Sequence, residues 1–97
     1  MNYLQHLKEN ERIFFNFMKR NYPLYEQSNL FLRDMQYAIM SYFELKEKPL
    51  KYEMAEEIAK EFIKSLVKKN KLLELNNKTW KVNFIIESNK HNNTEVA

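Results

Sequence analysis

The sequence predicts a mainly α-helical fold, three helices closed by a small antiparallel hairpin. Apolar residues recur at three- and four-residue steps in three stretches, Pro23 and Pro49 separate those stretches, and a late run alternates apolar and polar residues with period two. With 97 residues, 44% of them hydrophobic and 14% aromatic, the chain supplies one core and not two. The expected domain covers residues 1–86; residues 87–97 are polar, without an apolar period, and are expected to be disordered.

The first helix is expected to end near Asn21, from a start near Asn10 or as early as Tyr3. Ile13, Phe14, Phe17 and Met18 share one arc of its wheel. Pro23 stops it, because the ring clashes with a continuing turn. Ser28 or Asn29 is the expected cap of the second helix, whose core face holds Phe31, Leu32, Met35, Ala38, Ile39, Tyr42 and Phe43. The third starts between Leu50 and Glu53 and reaches Lys69 or Asn70. Met54, Ala55, Ile58, Ala59, Phe62, Ile63, Leu66 and Val67 form its apolar face, with Asn70 as the left-handed residue beyond its end. Leu72–Leu75 and Thr79–Phe84 are the strands of the hairpin. Trp80, Val82 and Phe84 mark the inward side of its second strand.

Composition removes whole classes of chemistry. Without glycine there is no P-loop and no dinucleotide-binding turn, both of which need the backbone to approach a phosphate closely. Without cysteine there are no disulfides, no thiolate nucleophile and no cysteine zinc site, which points to a reducing, cytoplasmic setting. The N-terminus lacks a secretory pattern, and the longest apolar runs are far shorter than the ~18 residues of a membrane span. His6 and His91 stand near opposite ends of the chain with no triad or metal-ligand spacing around them. Glu53, Glu56, Glu57 and Glu61 lie on a solvated helix face, where no environment separates an acid from a base. A non-enzymatic protein without cofactor, metal or small-molecule substrate is the expectation.

Charge is segregated within the net +3. Between residues 60 and 81 there are seven lysines (Lys60, Lys64, Lys68, Lys69, Lys71, Lys78 and Lys81) against two glutamates, a local +5 that leaves −2 for the remainder. Lysines at a helix end complement the macrodipole, and Glu56 and Lys60 pair at i,i+4; the same cluster is suited to gripping a phosphate backbone. Ten of the fourteen aromatics fall in the first 43 residues, more than a small core needs. Phe15 lies about 60° of helical rotation outside its apolar arc, and Tyr37 lies opposite the second helix's core face with Arg33 one turn before it. Phe15, Arg33 and Tyr37 are the candidate partner-binding or base-stacking residues.

The run Phe62-Ile63-Lys64-Ser65-Leu66-Val67-Lys68-Lys69-Asn70-Lys71-Leu72-Leu73-Glu74-Leu75, followed by the hairpin, resembles the recognition helix and wing of winged-helix proteins over about a third of the chain. The resemblance implies a three-helix winged-helix-like domain that binds nucleic acid. Glu53, Glu56 and Glu57 occupy the turns that such proteins present to base edges, so phosphate contacts with weak sequence preference are expected rather than major-groove readout. The resulting expectation is an accessory protein of phage or mobile-element type. It would bind single- or double-stranded nucleic acid beside a larger replication or transcription protein. The alternative is a protein-binding adaptor or inhibitor on the same scaffold, with the lysines serving solubility.

Overall fold

The computed structural model describes residues 2–22 and 24–84. They fold mainly into helix, with one three-stranded antiparallel sheet, in the order α1 (Tyr3–Glu9), α2 (Glu11–Asn21), β1 (Asn29–Phe31), α3 (Leu32–Leu45), α4 (Tyr52–Lys68), β2 (Leu72–Asn76) and β3 (Thr79–Val82). The polar tail expected over 87–97 lies outside the described residues. No helix among them is long and apolar enough to cross a membrane.

The expected first helix is two helices. The Asn2 side chain accepts from the Gln5 N–H and caps α1. Asn10 then leaves helical geometry (φ −122°, ψ 37°), and its amide side chain donates to the His6 carbonyl at 2.9 Å. A short polar side chain that bonds backward in this way competes with the helical ladder, and the chain turns at that point. The turn lets α1 lie across α4 with Leu7 fully buried.

It also re-aims α2. Ile13, expected inside, is exposed, whereas Phe15, expected outside, retains only 2% of its surface. The Phe15 ring stacks on Phe62 of α4 (5.9 Å, 22° between planes) and meets Phe84 edge-on at 5.1 Å. The apolar arc of α2 is therefore rotated toward α4 and the end of the hairpin, a rotation that no wheel drawn on α2 alone contains.

β1 is the larger departure from expectation. Ser28 does not cap a helix; its hydroxyl donates to the Tyr25 carbonyl at 2.6 Å and accepts from the Tyr25 N–H, closing a turn over residues 25–28. Asn29, Leu30 and Phe31 then pair with Lys81, Trp80 and Thr79 of β3, giving the strand order β1-β3-β2. Leu30 points inward, and Phe31, expected in the core, points out and is 47% exposed. The hairpin pairs Leu72 with Val82 and Leu73 with Lys81, with an irregularity between Glu74 and Asn76.

α3 and α4 form the main helix pair, with Ala38, Ala55 and Ala59 fully buried between larger neighbours. Small side chains at these positions let the two helix backbones come close. Met54, expected on the core face of α4, is exposed in the helix's first turn. Both helices end in the same way. Beyond α4, the Lys71 N–H bonds to the Leu66 carbonyl and the Asn70 N–H to that of Val67, with Asn70 at φ 60° as expected. Beyond α3, Lys48 bonds to Phe43 and Glu47 to Glu44, with Glu47 at φ 61°. These are Schellman turns, which place one residue in the left-handed region.

Candidate nucleic-acid interface

Lys60, Lys64 and Lys68 stand four residues apart on α4, so they rise one above the other on a single side of the helix. That side faces the hairpin. Between them lies a groove of about 420 Å³ with Ile63, Val67 and Trp80 at its base and Glu74 and Asn77 on its far wall. Trp80 sits there because strand alternation turns it inward while Thr79 and Lys81 turn out; it is buried, as expected, and its groove neighbours on α4 are Ile63 and Val67. Two of the lysines are partly neutralised on the helix itself, Lys60 by Glu56 at 3.4 Å and Lys64 by Glu61 at 3.3 Å. All four side chains are exposed enough for these pairs to yield readily to a phosphate.

The seven lysines do not form one surface. Lys69 and Lys71 follow the helix end around to α2, where both clasp the Glu11 carboxylate, Lys69 at 2.7 Å. Lys71 also lies 5.5 Å from the centre of the Phe84 ring. They are structural residues and leave the candidate interface. Lys78, in the hairpin turn, opens onto a second groove, and Lys81 projects from the outer face of the sheet beside Asn29 and Leu73.

Burial alone would raise the pKa of Glu11, but the hydrogen bonds and charges of Lys69 and Lys71 outweigh it and hold the carboxyl below its ordinary value. A carboxylate with a lowered pKa in the folded state stabilises the protein above its unfolded-state pKa. That contribution is lost as the pH falls through the folded value. Glu11→Gln is therefore expected to cost about 1–2 kcal/mol at neutral pH, after allowance for the exposure of both lysines. Urea unfolding at a series of pH values checks this: the gap between wild type and variant should close on acidification, and a gap independent of pH would mean that the charge contributes nothing.

The aromatic candidates separate in the same way. Phe15 is a core residue and presents no surface. Arg33 and Tyr37 are exposed on α3, and Arg33 lines a groove of about 440 Å³ between the starts of α3 and α4 and the hairpin turn, together with Phe31, Asp34, Tyr52, Glu56 and Lys78. Tyr37 borders it through Tyr52, the two rings meeting at 6.2 Å with 52° between their planes. The Leu32 N–H donates to the Lys78 carbonyl, and the Gln36 side-chain amide donates to the Tyr52 carbonyl at 3.3 Å, so these two hydrogen bonds tie the groove's walls together. Burial raises the Asp34 pKa against the opposing pull of Arg33, and burial together with Asp34 raises that of Tyr22. Sequence reasoning missed Tyr52 and Phe31. The signal for Tyr52 was present: it begins the four-residue series 52, 56, 60, 64, 68 that the lysines complete.

His6 faces the Tyr42 hydroxyl at 3.0 Å, joining α1 to α3 in the core, and burial raises the Tyr42 pKa. Among the described residues no three histidine, aspartate or glutamate side chains group closely enough to hold a metal ion. Comparison of the chain with protein-family models, with curated proteins and with solved structures finds no match.

Proposed function

We propose that this chain is a non-catalytic, winged-helix-like nucleic-acid-binding protein that grips phosphates along α4 and the hairpin and serves a larger replication or transcription protein. The observation that carries the reading is the row Lys60, Lys64 and Lys68 along the rim of the α4–hairpin groove, with Lys78 at the hairpin turn beyond it. The element order supports the winged-helix part: β1, which precedes α3, pairs with the last strand β3, and the hairpin lies beside α4, the place that a wing would take. The acidic first turns of α4 favour backbone contacts over base-edge readout.

The test is a double substitution, Lys68→Ala with Lys78→Ala, assayed by fluorescence anisotropy on single- and double-stranded probes over a range of salt. Affinity should fall for every probe sequence, and the salt slope should become shallower by about one to two units. Lys69→Ala, which breaks a structural clasp, should leave affinity in place. Unchanged affinity in the double variant, or binding indifferent to salt, removes the nucleic-acid reading.

A second reading, the protein adaptor, has its own support between α2 and the end of α3. Ile13 and Leu45 are exposed across a hollow of about 270 Å³ lined also by Phe17, Arg20 and Lys46. Asn16 lines the same hollow, and its buried carboxamide has no hydrogen-bond partner among the described residues. Exposed aliphatic side chains facing each other across a hollow suit a protein partner that covers them.

A further inference from the structure

The four-residue series on α4 changes character along its length. It begins with Tyr52, passes through Glu56 and continues as Lys60, Lys64 and Lys68, a stripe about 24 Å long at the helical rise. The lysine end borders the groove over Trp80; the Tyr52 end borders the groove that also holds Arg33 and Lys78. Two aromatic rings line that groove with open surface, Tyr52 at 46% and Phe31 at 47% exposed, and Tyr37, at 44%, meets Tyr52 at its border. The tilted contact between Tyr37 and Tyr52 leaves much of both rings uncovered.

The charges inside this groove sort the parts of a ligand. Asp34 and Glu56 line it, and a phosphate placed among them would be repelled, even though Lys60 partly neutralises Glu56. Arg33 and Lys78 line the same groove, and Lys64 and Lys68 stand farther along the stripe. Aromatic rings beside carboxylates, with cations at the groove and along the stripe, suit a planar base whose phosphates lie toward the cations. In a duplex the base faces are stacked on one another and out of reach; only an unpaired base can offer one to a ring.

We propose that the groove between the starts of α3 and α4 and the hairpin turn is a stacking site for an unpaired base of single-stranded nucleic acid. The inference rests on the nucleic-acid reading and narrows it: the lysine stripe holds the backbone of a single strand, and Tyr52 with Tyr37 holds a base. Since every base has a π-face, such a site adds affinity without adding sequence preference.

The experiment compares three probes of equal length, an oligothymidylate 12-mer, an abasic 12-mer with the same phosphates, and a 12-base-pair duplex, against wild type, Tyr52→Leu, Tyr37→Leu and Tyr52→Phe. Wild type should bind the oligothymidylate more tightly than the abasic strand. Tyr52→Leu and Tyr37→Leu should each lose about tenfold for the oligothymidylate and little for the abasic strand or the duplex. Tyr52→Phe, which keeps the ring, should retain wild-type affinity. Circular dichroism melting should show both leucine variants folded, as expected for exposed rings. Equal binding of the abasic and base-bearing strands, or leucine variants that bind all three probes as wild type does, would overturn the stacking site while leaving the lysine reading intact. Loss of all binding in Lys68→Ala/Lys78→Ala with no effect of either tyrosine would likewise remove the stacking site alone. Wild type that binds no probe at low salt overturns both.

Discussion

Phe15→Ala is expected to cost about 3–5 kcal/mol of folding stability. The ring is sealed between Phe14, Phe62 and Phe84, stacked on one and edge-on to the others. Removing it opens a void where α2, α4 and the hairpin's end meet, and close packing leaves little slack to refill it. Urea unfolding followed by circular dichroism measures the loss. Ile13→Ala, two residues away on the exposed side, should stay within about 0.5 kcal/mol. If the two variants were destabilised alike, the rotation of α2 would be wrong.

Trp80→Ala is expected to cost a similar ~3–5 kcal/mol, for a different reason. Trp80 is the centre of the sheet, paired with Leu30 on one side and Glu74 on the other, and its ring backs the groove under Lys60, Lys64 and Lys68. Its loss loosens β1, β2 and α4 together. Unfolding by circular dichroism, which does not depend on the missing fluorophore, reads the effect. A loss below about 1 kcal/mol would move Trp80 from the core to the binding surface.

The helical part of the fold was legible because its signal is local. In α4 the apolar residues Ala55, Ala59, Phe62, Ile63 and Leu66 repeat over about three turns, and Asn70 sits where a left-handed residue is needed. The hairpin was legible for the same reason, from alternation around Trp80 and Val82. β1 was not, because three residues carry no period and their strand character comes from pairing with β3, far along the chain. The facing of α2 was hidden likewise, since the turn at Asn10 and the contact with Phe62 set it.

The candidate site was legible in its charges and illegible in its partners. Lysine spacing puts Lys60, Lys64, Lys68 and Lys71 on one side of the helix; the first three line one groove, whereas Lys71 turns away to Glu11. What counting charges missed is that Glu11, far away in sequence, takes up Lys69 and Lys71. Phe31 and Tyr52 were missed because each belongs to the groove only once β1 and the hairpin turn stand beside the start of α3.

The turns after α3 and α4, and the one before β1, put Glu47, Asn70 and Gln27 at φ between 60° and 73°, in a chain that has no glycine to give them. Each such residue costs about 1 kcal/mol in the folded state. A glycine would avoid that cost, but it would also give the unfolded chain more conformations to lose on folding, worth about 0.4–1 kcal/mol per position. The second effect offsets part of the first. The stability of these turns is thus set partly by the restricted freedom of the denatured chain and not only by contacts in the native one, and a glycine-free sequence closes three left-handed turns at a net cost that the surrounding packing has to carry.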